Sequence, residues 1–429
     1  MKLLRLPAYF DPEQAASSFL WQNLSEDIAK AGVDEVVYTP TPTRGVTKEV
    51  RKYYKSFRIE TKHDGRMVIH RFPLYGEGKN PVLRAMRYVL QGIIQFNKAV
   101  FAKDARSCNV MFIASTPPTQ GAMAALVKKF HHIPLVYNLQ DIFPDSLVGT
   151  GLAKKDGLLW KIGRRIENFT YRNADKIVVI SQDFKRNIMA KGVPEEKIEV
   201  IYNWVDENAI TPVKDEENEL FEEFGVGKDK FRVVYAGNLG NAQNIEIIVN
   251  AARRLKDNSK IEFIIFGKGG LEDEIKETKA KEQLDNLKIL PLQPYERVSK
   301  VYGLGNMCIV ACKPGLGGAA MPSKTWSIMS SGRAVLANFD EGELKEIVEG
   351  ALTPSTNSGT ESSAPAKPCG VFTKAGDLEG FVHAIEELSK QPERCAEMGR
   401  NGRQFILENL TRKVGTRRYV EVIKSVANR

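Results

Sequence analysis

The sequence predicts an α/β protein built as two parallel sheets, each wound with helices on both faces. Three observations carry this. Short apolar runs alternate with helical stretches along nearly the whole chain, the pattern of parallel strands joined by crossover helices. The alternation occurs twice, with a break near Asn203–Pro212, where Asn-Trp-Val-Asp leads into an acidic, Pro-containing segment. And 429 residues exceed one ordinary core, suiting two domains of about 200 residues. The expected boundaries are 1–206, 207–410, and a closing helix over 411–429 that returns to the first domain.

Taken in order, Leu3–Leu6 is a buried strand interrupted by Arg5, followed by the loop Pro7–Glu13 and a helix over Gln14–Ala31 that stops at Gly32. Val36–Tyr38 is a second strand and Thr39–Gly45 its loop, and Arg66–Phe72 alternates as a half-buried strand does. Asn80–Lys103 is a long helix, followed by strand Val110–Ala114, helix Thr119–Phe130, strand Leu135–Tyr137, helix Trp160–Arg172 and strand Lys176–Ile180. The second half repeats the theme. Strand Phe231–Tyr235 turns at Gly237, a helix covers Ile245–Leu255, and strand Ile261–Phe266 runs into Gly-Lys-Gly-Gly at 267–270 and a charged helix. Leu287–Leu290, Met307–Ala311 and Ala334–Ala337 supply further strands, and Thr353–Pro368, rich in Ser, Thr, Gly and Pro, is expected as a mobile surface loop.

Charge is unevenly spread. Residues 1–200 hold 31 basic and 20 acidic side chains, whereas 201–429 hold 31 and 33, so the formal excess of +9 belongs to the first half. Either an anionic partner, such as a membrane surface, or a solvated basic surface accounts for it. The helix Pro81–Lys103 mixes a broad apolar face with Arg84, Arg87, Lys98 and Lys103, which suits both a helix packed on the sheet with a basic edge and an anionic membrane surface. Nucleic acid is disfavoured, because the basic residues lack an interleaved base-stacking pattern. No window reaches the roughly 18 apolar residues of a membrane span, and the N-terminus does not read as a signal peptide. The five cysteines have no zinc spacing and read as buried thiols in a reducing cytoplasm. No metal site is expected.

Chemistry concentrates in Gly317–Ala337. A glycine-rich loop precedes Pro322 and Ser323, which open a short helix that Gly332 ends. Helix-start N–H groups, the charge of Lys324 and close backbone approach at 315–320 suit a phosphate or diphosphate; ordinary capping of a βα turn is the alternative. Asp141 follows an apolar strand and precedes Phe143-Pro144, either as a turn aspartate or as a carboxylate that positions a reacting hydroxyl. His131, His132 and His383 are assigned no chemistry.

Motifs at these loops resemble retaining sugar-nucleotide glycosyltransferases of family four, GT-B fold, in particular the WbuB-like branch of bacterial surface-polysaccharide assembly. They are TPTPTRGV at 39–46, STPP at 115–118, YNLQDIFPDS at 137–146, RNADKIVVIS at 172–181, IYNWVD at 201–206, YAGNLGNAQ at 235–243, MPSKTWSIMSSG at 321–332 and MGRNGR at 398–403. The resemblance implies two Rossmann-like domains facing across a cleft and metal-free transfer from a nucleotide diphosphate, UDP preferred, with retention. The sugar is a hexose or N-acetylamino sugar, the acceptor a lipid-linked saccharide, and the location the inner face of the cytoplasmic membrane. It assigns the donor to Gly237, Asn238, Lys268, Gln293, Gly317, Gly318, Pro322, Ser323, Lys324 and Thr325, the acceptor side to Glu13, Arg44, Arg84 and Arg87, and the catalytic role to Asp141. Two departures stand out. Ala319 and Ser327 occupy the places of the family's two glutamates, and Asn238 and Gln243 those of its Arg and Lys. A nucleotide-sugar 2-epimerase and a non-catalytic partner in polysaccharide assembly remain as rival readings.

Overall fold

The computed structural model describes residues 1–13, 18–76, 78, 80–149, 153–351 and 367–428. The first four residues of the expected helix 14–31 and nearly all of the expected loop 353–368 lie outside them. The chain divides into two units, Met1–Asn203 with Lys413–Arg429, and Trp204–Arg412. The division precedes Trp204 because the next residues are bonded into the second unit, where Val205 N–H donates to Leu410 O at 3.2 Å.

The first unit holds eight strands: β1 (Lys2–Arg5), β2 (Asp34–Pro40), β3 (Ile59–Lys62), β4 (Met67–Phe72), β5 (Val110–Ala114), β6 (Leu135–Leu139), β7 (Lys176–Val179) and β8 (Ile198–Val200). Their order is β3-β4-β2-β1-β5-β6-β7-β8, parallel throughout except for the edge strand β3. Strands on either side of the β1/β5 pair run outward in opposite directions along the sheet, so the topological switch point lies there, where open α/β sheets hold ligands. Arg5, which breaks the apolar run of β1, is 4% exposed and paired with Glu35 of β2 at 3.1 Å. The closing helix Arg412–Ala427 docks here too: Tyr419 Oη donates to Asn138 Oδ1 at 3.0 Å, and Arg418 pairs with Glu199 at 2.9 Å.

The helix Pro81–Phe101 reverses the expectation of an apolar face on the sheet. Its inner row, Arg87, Gln91, Gln95 and Ala99, recurs every fourth residue and is fully buried. Val82, Leu83, Met86, Val89 and Ile93 are each more than half exposed. The cause is a set of strand-end carbonyls that the sheet leaves unpaired. Gln95 Nε2 donates to Pro7 O and to Tyr38 O, both at 2.9 Å, and Gln120 Nε2 donates to Leu6 O and, at 2.6 Å, to Gln95 Oε1. Buried carbonyls need donors, so the polar side turns inward and the apolar side is left outside. A further helix, Lys48–Ser56, which the apolar pattern did not announce, buries none of its residues.

The second unit is a six-stranded parallel sheet of β9 (Phe231–Asn238), β10 (Ile261–Lys268), β11 (Leu287–Pro291), β12 (Met307–Ala311), β13 (Ala334–Phe339) and β14 (Gly370–Lys374), ordered β11-β10-β9-β12-β13-β14. The core sits around Val233, Tyr235, Phe263, Ile265, Ile309 and Leu336. Pairing between β9 and β12 is confined to Met307↔Val233 and Cys308↔Val234. Beyond those pairs the strands part, opening a crevice at the switch point of this sheet.

The helix Pro392–Asn409, which carries the MGRNGR motif, packs at backbone distance on the turn that ends Lys324–Ser330. A methyl group at Gly399 would overlap the carbonyl oxygen of Gly332, a backbone atom that cannot yield cheaply. Gly399→Ala is therefore expected to destabilise the second unit by about 1–3 kcal/mol. Calorimetric unfolding checks this, and an unchanged melting temperature would refute it.

Candidate functional site

In the second unit the crevice is bounded by the end of β9 and the loop after β12. Gly237 has φ +150, and a Cβ there would lie 2.9 Å from Lys324 Nζ, so glycine is required for the ammonium to lie against the strand. Lys324 Nζ also sits 4.1 Å from the centre of the Tyr235 ring. Tyr235 is fully buried and anchored by its hydroxyl to Asn238 O at 2.8 Å. Lys324 has no carboxylate within ion-pair distance and makes no hydrogen bond through Nζ among the described residues. Burial pushes its ammonium down from the usual 10.5 to about 8. A half-buried cation held, among the described residues, only by an aromatic face is poised to take an anionic ligand.

The other expected donor residues fall into three groups. Asn238 and Lys268 are exposed neighbours at the ends of β9 and β10. Gly318 and Ser323 are also exposed, and Pro322 is half-buried. The helix begins at Lys324 rather than at Pro322–Ser323, runs seven residues, and Gly332 ends it at φ +66. Three expectations are corrected. Gly317 N–H is not free for a ligand, because it donates to Asp340 Oδ2 at 2.7 Å while Gly315 N–H takes Oδ1 at 3.0 Å. Thr325 is fully buried in the core, its hydroxyl without a hydrogen-bond partner. Gln293 is spent on its own turn, donating to Pro291 O at 3.0 Å and accepting from Arg297 at 2.8 Å. Asp340, which shapes the glycine loop, went unnoticed in the sequence, where nothing distinguishes it from a strand-end aspartate.

In the first unit a cavity of about 460 Å³ opens at the carboxyl ends of β1 and β5. Phe10, Trp21, Gln22, Asn23, Thr116 and Gln140 contribute rings, amides and a hydroxyl to its wall, the chemistry that grips sugar hydroxyls and faces. Gln140 is held in place by Ser115 Oγ, which its backbone N–H contacts at 3.0 Å, and by Asn203 Nδ2 at 2.8 Å from its side-chain oxygen. Asp141, the next residue, reaches solvent, and its Oδ2 accepts from Ser146 Oγ at 3.1 Å. The protein packed around it raises its carboxyl above the usual carboxylate range, against the opposing bonds from Ser146 and the Ile142 N–H.

Two acceptor-side expectations are corrected as well. Glu13 is 3% exposed and its carboxylate is consumed by backbone: Thr43 N–H at 2.7 Å, Arg44 N–H at 2.8 Å and Phe10 N–H at 3.2 Å. It fastens two loops together. Arg87 is not on a basic rim but fully buried, donating to Tyr75 O at 3.0 Å and Thr43 Oγ1 at 3.2 Å. Arg44 and Arg84 are exposed.

These two sheets, with their crevices at the strand ends, define a GT-B type glycosyltransferase, and comparison with known proteins agrees. Residues 20–209 match the model of Glycosyltransferase Family 4 and residues 216–405 that of Glycosyl transferases group 1. Together these two glycosyltransferase models span most of the chain. It is 25% identical to WcaI of Escherichia coli K12, named for colanic acid biosynthesis and glycosyl transfer, over 81% of this chain and 86% of that protein. It is 30% identical to the glycosyltransferase WbjE of Pseudomonas aeruginosa over 49% of this chain, spanning 52% of that protein's length. In fold it is similar to HepE of Anabaena, solved in complex with UDP, with a TM-score of 0.70 at 15% identity over 99% of this chain and 100% of that one.

The position of Lys324 carries a stability consequence. A lysine whose folded value falls from 10.5 to about 8 is bound to its proton more weakly in the folded state than in the unfolded one. The cost to folding is therefore fully present below pH 8 and is relieved as pH rises from 8 to 10.5. At about 1.4 kcal/mol per pH unit this penalty is on the order of 3–4 kcal/mol at neutral pH. Lys324→Met is expected to melt several degrees above the wild type at pH 7, with the gap closing toward pH 10. A variant that melts lower at pH 7 would contradict this account.

Proposed function

We propose that this chain moves a hexose or N-acetylamino sugar from a nucleotide diphosphate donor, UDP preferred, to a lipid-linked saccharide in surface-polysaccharide biosynthesis, with retention of anomeric configuration. The observation that carries the reading is Lys324: an ammonium held at a switch-point crevice by Gly237 and Tyr235, with no counter-ion among the described residues. Departure of a nucleoside diphosphate leaves negative charge on oxygen, and a fixed, poorly solvated cation stabilises that charge strongly. The missing family cations at Asn238 and Gln243 leave Lys324 as the principal positive charge for this task. The UDP bound by HepE, the colanic acid pathway named for WcaI and the motif likeness to the WbuB-like branch support the donor and pathway assignments. Retention and independence of metal rest on the family resemblance.

Asp141 is the group assigned to the acceptor hydroxyl. Its carboxyl, raised above that of an ordinary aspartate by burial, is a better proton acceptor. The saccharide end of the acceptor belongs in the neighbouring cavity, against Trp21 and the amides of Gln22 and Gln140. The lipid end belongs to the outward apolar row of Pro81–Phe101, which suits the peripheral attachment expected at the inner face of the cytoplasmic membrane. Lys48, Arg51, Lys52 and Lys55 on the unburied helix beside Gly76 add charge complementary to anionic headgroups. Among the described residues no helix is long and apolar enough to cross a membrane, so surface attachment is the mode this geometry supports.

Calorimetric titration of UDP and an assay of sugar transfer, run on two variants, test the chemistry. Lys324→Met is expected to lose about 10–100-fold in UDP affinity, the worth of a charge-assisted phosphate contact. Wild-type affinity is expected to fall as pH rises past 8, where the ammonium loses its proton. Asp141→Asn is expected to keep UDP affinity and lose about 10²–10⁴-fold in transfer rate. Unchanged UDP binding by Lys324→Met would overturn the donor assignment.

Membrane attachment is tested with vesicles containing anionic phospholipid. Met86→Asp combined with Ile93→Asp alters two exposed side chains and is expected to leave the melting temperature unchanged while reducing vesicle binding at least tenfold. Wild-type binding is expected to weaken with salt, since each basic residue at such a surface contributes about 1 kcal/mol. Self-association lost in the variant, without vesicle binding by the wild type, would show that a second copy covers this face instead.

A further inference from the structure

The turn that carries Asp141 is fastened at every part of its length. It runs Asp141-Ile-Phe-Pro-Asp-Ser146 and follows β6. Phe143 and Pro144 lie against Gly163 of the helix Leu158–Asn173, where a Cβ would come within 2.6 Å of the Phe143 ring and 2.9 Å of Pro144 Cβ. Asp145 opens the short helix Asp145–Gly149, and its Oδ2 lies 2.8 Å from Lys191 Nζ and accepts from Asn187 Nδ2 at 3.3 Å. Asn187 belongs to the helix Gln182–Ala190, and Lys191 directly follows it. Lys191 is held in turn by Glu167 Oε1 at 3.5 Å. Glu167 is buried and also takes Arg164 and the Tyr171 hydroxyl. Ser146, next to the anchored Asp145, closes the turn. Its N–H donates to Ile142 O at 3.0 Å and its hydroxyl to Asp141 Oδ2 at 3.1 Å.

An ion pair stripped of water contributes little net stability, because desolvation offsets the attraction; what it fixes is geometry. The side chains of Lys191 and Glu167 are 12% and 4% exposed, so their pair serves the placement of Asp145 more than the strength of the fold. Placing Asp145 also places Ser146, one residue on. With Ser146 on Oδ2, the Asp141 carboxyl group cannot turn freely. We infer that Ser146 and Lys191 are positioning residues of the transfer step: Ser146 orients the Asp141 carboxylate toward the acceptor hydroxyl, and Lys191 acts through Asp145 to hold Ser146. In that step the acceptor oxygen bonds to the sugar carbon, the nucleoside diphosphate leaves with its electron pair, and the hydroxyl proton passes to Asp141. This inference rests on the reading of Asp141 as the group that meets the acceptor hydroxyl. The Ser146 bond also favours the ionised carboxylate, opposing the burial that raises it. Of the other charged and titratable groups that meet the turn, Asp145, Lys191, Glu167 and Arg164 are tied to one another, and burial keeps the Tyr137 phenol of β6 neutral.

The test uses the full-length protein with its aspartate carboxyl carbons isotopically labelled, so that NMR follows the titration of Asp141 without donor or acceptor. The Asp141 signal is the one that Asp141→Asn removes. Ser146→Ala is expected to move its titration to higher pH, since the bond that favours the ionised form is gone, and Ser146→Thr to leave it near the wild-type position. Lys191→Met is expected to move it in the same direction, and Lys191→Arg, which keeps the pairs, to restore it. UDP release is then measured from UDP-glucose or UDP-N-acetylglucosamine, whichever the wild type turns over, with water standing in for the acceptor hydroxyl. Ser146→Ala and Lys191→Met are expected to lose about tenfold in kcat, with donor KM and UDP affinity unchanged. Ser146→Ala removes a single oxygen and carries the test should Lys191→Met fail to fold. An unchanged titration or an unchanged kcat in Ser146→Ala would overturn the positioning role, and wild-type behaviour of Lys191→Met would remove Lys191 from it. Full activity in Asp141→Asn would instead overturn the reading of Asp141 itself, so the two failures are distinguishable.

Discussion

The first unit depends on one interaction above the others: the row of buried side-chain amides that caps the carbonyls at the ends of its central strands. Leu6 O and Pro7 O follow the end of β1, and Tyr38 O lies in β2 just beyond its last pairing with β1, so their partners come from elsewhere. Gln95 and Gln120 supply the donors and are themselves joined, and Gln91 donates to Gln95 Oε1 at 3.3 Å. Leaving such carbonyls bare would cost about 1–3 kcal/mol each. That penalty favours the polar side of Pro81–Phe101 facing the protein. The outward apolar surface, the inward Arg87 and the placement of the loops around the cavity all follow from it.

The same competition explains what the sequence disclosed. Strands with unbroken apolar runs were legible: Val110–Ala114 and Met307–Ala311 coincide with β5 and β12. Strands lacking that pattern were not. In β3, Ile59-Glu-Thr-Lys is an exposed edge, and β14, Gly370-Val-Phe-Thr-Lys, starts with a glycine whose side chain would overlap the backbone of Val335. The helix at 81–101 was legible as a helix but not in its orientation, because periodicity locates two faces and cannot say which one meets unpaired carbonyls.

At the candidate site, residue type was legible and availability was not. Lys324 was identifiable as a charge near a glycine-rich loop, and among the described residues it makes no ion pair. Gly317 offered an N–H by the same logic, but Asp340, twenty-three positions on, takes it. Glu13 was expected on the acceptor side and Thr325 at the donor, yet one is saturated by backbone and the other is sealed in the core. Whether a polar group is free depends on partners distant in sequence. The contacts that most define the site, Tyr235 beneath Lys324 and Tyr9 between two arginines, involve aromatic residues that no spacing rule pairs with those cations.

The carboxylate of Glu13 joins loops that follow different strands, through Phe10 on one side and Thr43 and Arg44 on the other. Its two oxygens make the lips of the cavity a single mechanical piece. The loss of conformational entropy needed to order these loops occurs when the chain folds, rather than when a ligand enters. A site built in this way binds by shape already present, with little rearrangement.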